Sequence, residues 1–216
     1  VVSTNAGGYD MSDGEPSGIL IMRGVEYHPI DRNGFVGILD DGTAVIGTRD
    51  EWDAYKGRVQ EAVAGFGTML VKDGKVNITA TSDYYKSRAS RTSIGITKTG
   101  KIVMMVLDGR QEPYSCGGSM VEIAQIMLEA GCVTAVNLDG GGSSTFVARP
   151  EGETELKVIN RPSDGDPRSV STSLFVVSTA PSSTKFDHAV VDSEVAYMTV
   201  GTSVQMSAAG VSATGN

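Results

Sequence analysis

The sequence predicts an α+β fold: a central mixed β-sheet built from hairpins and one crossover helix, followed by a β-strand tail. Three observations predict it. Short apolar runs are joined by Asp-Gly and Thr-Gly turns, which favour tight hairpins. One segment, residues 120–130, repeats its apolar side chains at helical spacing. Beyond residue 188, residues 189–191, 196–200 and 204–206 alternate in the manner of strands.

The elements follow in chain order. Residues 1–3 form an apolar run entering the turn Asn5-Ala6-Gly7-Gly8-Tyr9. Residues 19–22 and 36–39 read as short strands, and Asp41-Gly42 between Ile38 and Val45 closes a hairpin. Residues 69–76 repeat that arrangement around Asp73-Gly74. Trp52, Tyr55, Val59 and Val63 recur every three or four residues, predicting a short helix within residues 50–64. Residues 82–91 are polar and loop-like. Residues 93–97 and 102–107 then flank Thr99-Gly100-Lys101 as another hairpin, and the uniformly apolar second strand implies burial on both faces.

Residues 120–130 give the clearest element. Ser119 and Glu122 have the spacing of a capping box, in which each side chain satisfies a free N–H of the first turn. Ile123, Ile126, Met127 and Ala130 line one face, and Gly131 supplies the stop. A second buried strand over residues 133–138 follows, so strand, helix and strand suggest a right-handed parallel crossover. Residues 170–177 form a last apolar strand. The expected organisation is a main domain over residues 1–178, a Ser/Thr/Pro linker over 179–187, and a β-rich tail over 188–216 that reads as the truncated start of an immunoglobulin-like domain.

Composition narrows the function classes. The 216-residue chain has a net charge of −8, which argues against a broad nucleic-acid surface and against docking on anionic lipid. A local set of arginines can still outweigh a distant negative field. No apolar run approaches the roughly 20 residues of a membrane span. With no signal peptide and a strand-like start, the chain is expected to be excised from a longer precursor, its neighbouring domains counting as partners. Cys116 and Cys132 flank the helix, about 20 Å apart by its rise, so two free thiols are expected.

The candidate chemistry lies after the two apolar strands. Asp108 follows one and Asp139 the other, and sites in sheets with crossovers form at the carboxyl ends of strands. Were the two strands parallel neighbours, both carboxylates would face one crevice. Asp139 opens the run Gly140-Gly141-Gly142-Ser143-Ser144-Thr145. Its glycines allow backbone N–H groups to converge on an anion, and its hydroxyls can donate to sugar or phosphate oxygens. It is neither a P-loop nor a dinucleotide fingerprint. Arg91, Arg110 and Arg168 are candidates for phosphate, which guanidinium groups bind bidentately. His28 and His188 lack metal-ligand spacing, and no nucleophile elbow is present.

In this light the chain resembles the phosphodiester glycosidase family. The resemblance rests on an ordered set: Asn5-Ala6-Gly7-Gly8-Tyr9, then Gly65-Phe66-Gly67 with Leu70-Val71-Lys72-Asp73-Gly74, then Arg91-Thr92-Ser93-Ile94-Gly95, then Val106-Leu107-Asp108-Gly109-Arg110, then residues 137–145, then Asn160-Arg161-Pro162-Ser163 through Arg168. It covers roughly residues 1–178, and Asn137-Leu138-Asp139-Gly140-Gly141-Gly142-Ser143-Ser144-Thr145 is its most specific part. Phe66 departs from the family's pattern by interrupting its glycines.

The resemblance implies a hydrolase that cleaves a sugar-1-phosphodiester of a glycan or cell-envelope polymer, releasing the sugar and a phosphomonoester. It implies Asp139 in the central role with Asp108 second, and Arg91 and Arg168 stabilising the departing phosphate. Asn5, Asn137, Gly140, Gly141, Gly142, Ser143, Ser144, Thr145, Asn160 and Ser163 are then substrate binders. No cofactor is required, and a divalent cation shared by Asp108 and Asp139 has too few ligands to be indicated. The implied location is extracellular or on a bacterial cell surface. The alternative reading is a non-catalytic glycan- or cell-wall-binding module.

Overall fold

Sixteen strands and two α-helices form among the described residues, which in this computed structural model are residues 1–31, 34–79, 82–192 and 197–215. In order come β1 (Val2–Asn5), β2 (Leu20–Met22), β3 (Val25–His28), β4 (Phe35–Leu39) and β5 (Ala44–Gly47). A 3₁₀ turn over Arg49–Ala54 leads to β6 (Val59–Ala64), β7 (Met69–Lys72), β8 (Lys75–Val76) and the one-turn helix α1 (Asp83–Lys86). Next are β9 (Arg91–Thr97), β10 (Ile102–Leu107), α2 (Met120–Glu129) and β11 (Cys132–Asn137). A second 3₁₀ turn, Gly141–Ser143, precedes β12 (Phe146–Ala148), β13 (Lys157–Val158), β14 (Ser173–Val176), β15 (Phe186–Asp192) and β16 (Ser207–Ser212).

The expected single mixed sheet is corrected. The strands form two five-stranded sheets, ordered β3-β2-β6-β4-β5 and β10-β9-β11-β7-β8, a four-stranded sheet β13-β12-β1-β14, and the pair β15-β16. Every hydrogen-bonded pair among the described residues is antiparallel. The fold is sheet-dominated. The crossover through α2 does join parallel strands, because β10 and β11 both run antiparallel to β9. They are not neighbours: β9 lies between them.

Three hydrophobic clusters hold the sheets together. The apolar face of α2 (Met120, Ile123, Ala124, Met127) packs on Leu70, Val71 and Ala135. Burying each such side chain contributes about 1.5–3 kcal/mol. On the opposite face, Ile94, Val136 and Leu138 meet Val36 and Val63 of the other five-stranded sheet, together with Ala6. Phe35, Ala62 and Ala64 point the other way and pack with Trp52, whose ring meets Phe35 edge-on at 4.9 Å. Successive residues of β4, β6 and β11 thus serve opposite faces, as the strand period of two requires.

Other expectations need adjustment. The helix expected within residues 50–64 is only the 3₁₀ turn Arg49–Ala54; Val59 and Val63 belong to β6, because pairing with β2 and β4 outweighs a four-residue apolar coincidence. β10 is not buried on both faces. It is an edge strand with Ile102 exposed. In the tail, β15 pairs with residues 207–212; residues 197–200 and 204–206 are not strands, and Ala196 lies outside the described residues. Both cysteines are free.

Candidate active site

The site gathers where β1, β10 and β11 end and β9 begins. Register explains why. Leu107 pairs with Arg91 and Asn137 with Ser93, so the residues after β10 and β11 and those entering β9 share one end of the sheet. Asn5, at the end of β1, crosses to this end and joins it to the four-stranded sheet. Its Nδ2 donates to the Asp139 carbonyl at 2.7 Å, and its Oδ1 accepts from Thr92 Oγ1 at 2.8 Å and from the Thr145 amide at 3.2 Å. Thr92 Oγ1 also lies 3.1 Å from Ser144 Oγ. All of Asn5, Thr92 and Ser144 are buried, so this network fixes the start and end of the glycine loop.

The glycines make room for guanidinium groups. A Cβ on Gly141 would sit 2.9 Å from Arg110 Nη1, and Gly141 has φ +64°. A Cβ on Gly142 would collide with Arg168 Nη2 and with the Asp164 carboxylate. On Gly140 it would touch the Arg91 side chain, 3.8 Å from Cδ. Bare backbone therefore lets the Arg110 and Arg168 guanidinium groups close on this turn, while at Gly140 the Ser90 carbonyl, 3.0 Å from a would-be Cβ, is the nearest obstacle. The amides themselves are mostly spent. Gly140 donates to Asp139 Oδ1, Gly141 to the Ser90 carbonyl and Ser143 to the Gly140 carbonyl. The expected convergence of loop amides on an anion is corrected for these three: the Asp139 carboxylate and the Ser90 and Gly140 carbonyls accept their hydrogen bonds, and side chains supply the positive charge.

The three arginines differ. Arg168 donates from Nε and Nη2 to Asp164 Oδ2, at 2.9 and 2.7 Å, and that pairing raises its pKa. Arg110 is exposed, with φ +59°, and has no carboxylate partner among the described residues. Arg91 is buried, 3% exposed, and among the described residues its hydrogen bonds go to carbonyls: Nε donates to Gly118 O at 3.1 Å, and Nη2 to Ser87 O at 2.8 Å and Tyr84 O at 3.3 Å. Burial and the nearby Arg110 charge lower its pKa, with the Tyr84 side chain opposing them. A buried cation without an anionic partner is costly and favours capture of an anion.

Asp139 is half-buried and feels the Arg168 charge. Burial raises its carboxyl above the ordinary aspartate value of 3.8, while the Ser143 hydroxyl, the Gly140 amide and Arg168 pull it back in part. Among the described residues Thr145 Oγ1, Asn137 Oδ1 and Ser163 Oγ have no hydrogen-bond partner, and Ser143 Oγ has none beyond its approach to the Asp139 carboxylate. Thr4, Asn5, Ser143, Thr145, Val147 and Arg168 line part of a cavity of about 170 Å³. Unpartnered buried hydroxyls around a cavity are positioned to bind a polar ligand or water. A larger cleft, about 550 Å³, opens between the sheets but is lined almost wholly by aliphatic groups with Glu61 as its one ionisable residue, so it carries no comparable chemistry.

Asp108 stands apart. Its Oδ1 accepts from Asn160 Nδ2 (2.9 Å) and the Arg161 amide (3.1 Å), and its Oδ2 from Tyr114 Oη (2.9 Å) and the same amide (3.0 Å). Asn160 is equally occupied, accepting from the Phe146 amide at 2.7 Å and donating to the Ser144 carbonyl at 3.0 Å. These two side chains brace the segment after β13 against the glycine loop. Asn137 Nδ2 donates to the Phe66 carbonyl at 3.0 Å. Among the described residues no group of three or more His, Cys, Asp or Glu side chains is arranged to hold a metal.

The structure thus brings Asp139, Arg91, Arg168, Asn5 and the 140–145 loop together. It sets Arg110, the third arginine candidate, against the loop, and it uses Asp108, Asn160 and Asn137 as ties. Asp164, Thr92, Tyr84 and Phe66 were not recognised from sequence. Asp164 had a signal, its spacing of four from Arg168; Tyr84 had another, an aromatic in a polar segment.

A model of the phosphodiester glycosidase family matches residues 1–177. The chain is 34% identical over 82% of its length to the uncharacterized SPbeta prophage-derived protein YomE of Bacillus subtilis, covering 28% of that protein. It is 29% identical over 68% of its length to human N-acetylglucosamine-1-phosphodiester alpha-N-acetylglucosaminidase, covering 31% of it. The chain therefore spans about a third or less of these relatives. Its fold is similar to the zebrafish N-acetylglucosamine-1-phosphodiester alpha-N-acetylglucosaminidase catalytic domain auto-inhibited by pro-peptide, with TM-score 0.66 and 25% identity over 80% of this chain and 61% of that one.

Proposed function

The chain belongs to the phosphodiester glycosidase family, and we propose that it hydrolyses the bond between a sugar's anomeric carbon and a phosphodiester oxygen. One observation carries the proposal: a carboxylate raised above its ordinary pKa by burial, Asp139, opens a loop that the Arg110 and Arg168 guanidinium groups approach, with the buried Arg91 packed beside Gly140.

The chemistry follows from those groups. A phosphate is a good leaving group, so its departure needs charge stabilisation more than protonation. Arg91, Arg110 and Arg168 supply positive charge where negative charge develops, in a site partly shielded from water, where such interactions are strongest. Asp139 faces the sugar side. Its carboxylate either attacks the anomeric carbon or takes a proton from the attacking water, and it stabilises the positive charge that builds on the ring. The hydroxyls of Ser143 and Thr145 bind sugar or phosphate oxygens. Asp108, with both oxygens engaged, positions Asn160 and the loop.

By analogy with the named relatives, an N-acetylglucosamine-1-phosphodiester is the first substrate to try. The mechanism is proposed without a cofactor, at a bacterial cell surface or outside the cell. Residues 188–216 are read as an immunoglobulin-like β segment, in which β15 and β16 pair. The test is incubation with UDP-N-acetylglucosamine or a p-nitrophenyl-phosphoryl sugar. Release of free sugar with a phosphomonoester is expected. Saturable sugar binding without release would instead make the chain a glycan-binding module.

A further inference from the structure

One side of the site is aromatic. Phe66 follows β6, and its backbone is tied to the motif that carries Asp139: its amide donates to the Asn137 carbonyl at 2.8 Å, and its carbonyl accepts from Asn137 Nδ2 at 3.0 Å. Tyr84, in α1, meets Phe66 edge-on with ring centroids 6.2 Å apart. Arg91 sits on one side of the Tyr84 ring, 5.3 Å from its centroid, and its guanidinium holds the Tyr84 and Ser87 carbonyls. Tyr84 is nevertheless 38% exposed, so part of its side chain is open to a ligand.

Two glycines lie against this pair. A Cβ on Gly8 would strike the Phe66 ring at 2.5 Å, and one on Gly67, at φ +90°, would lie 3.6 Å from the Tyr84 ring. Gly8 thus admits the Phe66 ring, while Gly67 supplies a left-handed turn in contact with Tyr84. The phenol of Tyr84 senses that carboxylate: burial raises it most, and the Asp139 charge adds to the rise.

We propose that Phe66 and Tyr84 form the sugar-ring subsite, with the exposed side of Tyr84 stacking on the apolar C–H face of the pyranose whose anomeric carbon faces Asp139. The physical basis is the ring quadrupole: the negative face attracts the weakly positive C–H edges of a sugar, as it attracts the Arg91 cation on its other side. Arg91 then links the two halves of the substrate, since it anchors the segment that presents Tyr84 and also faces the phosphate. This assignment rests on the reading of the Asp139 site as a sugar-phosphodiester site.

The test separates the two halves. Affinities for N-acetylglucosamine and for inorganic phosphate are measured by NMR titration on wild type, Tyr84→Ala and Tyr84→Phe, with wild-type turnover recorded on the same preparation. Tyr84→Ala weakens sugar binding about fivefold to tenfold. It leaves phosphate within about twofold, and Tyr84→Phe restores the sugar affinity because the ring remains. Unchanged sugar affinity in Tyr84→Ala, equal loss for sugar and phosphate, or no sugar binding by the wild type would overturn the subsite. Wild-type turnover reports separately on the reaction, so a sugar-binding protein that fails to turn over sinks the reaction and leaves the subsite standing.

Discussion

Asn5 Nδ2 donates to the backbone carbonyl of Asp139 at 2.7 Å, joining the end of the first strand to a residue 134 positions later. The same side chain accepts from Thr92 and Thr145, so one buried amide fixes three segments of the site. Asn5→Leu removes these bonds and leaves the Thr92 hydroxyl and the Thr145 amide without their acceptor. A stability loss of about 1–3 kcal/mol is expected. Chemical denaturation measures it. A change below about 0.5 kcal/mol would show that water replaces the network.

Asp139→Asn separates chemistry from folding. Turnover should fall by about 10²-fold or more, as for loss of an acid–base or nucleophilic group. Stability moves the other way. Because burial raises the folded pKa, the folded state binds more protons than the unfolded state once pH passes the ordinary aspartate range. Ionised Asp139 therefore costs stability at neutral pH, and that cost disappears as pH falls below its ordinary value of 3.8. Asp139→Asn should be at least as stable as wild type at pH 7, with the difference shrinking toward low pH. Thermal unfolding as a function of pH decides it.

The same shift predicts a pH profile. If ionised Asp139 reacts, the acidic limb of kcat/KM, which reports the free protein, lies above the range of an ordinary exposed aspartate. A limb at or below that range would mean that another group sets the acid dependence.

How much of this was legible beforehand differs by element. Local rules identified α2, because its capping box is satisfied within one turn: the Ser119 amide donates to Glu122 Oε2 at 2.8 Å. They also located Asp139 and its glycines, since an Asp followed by three glycines between apolar strands has few structural uses. They did not show that β10 and β11 are separated by β9, nor that β1, β12 and β14 form a sheet of their own, because those pairings join residues far apart in sequence. Asp108 and Asp139 looked alike as strand-end carboxylates. Only the tertiary contacts of Asn160, Arg161 and Tyr114 distinguish them. The cause of the glycine run was also hidden, since the guanidinium groups that need the space come from positions 110 and 168.

Asp108→Asn tests that distinction. Replacing a carboxylate that accepts from Tyr114, Asn160 and Arg161 should cost about 1–3 kcal/mol of stability. Turnover should fall far less than for Asp139→Asn. Equal losses of turnover in the two variants, with little effect on stability, would place Asp108 in the chemistry.

Gly142→Ala probes the approach of Arg168. Its Cβ has no room beside the Arg168–Asp164 pair, so the pair must move. Affinity for inorganic phosphate should drop while affinity for free sugar holds. An unchanged phosphate affinity would mean that Arg168 does not contact the anion.

The central claim is that water adds to the sugar carbon and phosphate leaves intact, with Asp139 on the sugar side and the arginines on the phosphate side. Hydrolysis of a sugar-1-phosphodiester in heavy-oxygen water, followed by mass spectrometry of both products, tests it most directly. Label in the released sugar and none in the phosphomonoester is the predicted result. Label in the phosphomonoester would show cleavage at phosphorus and contradict the account.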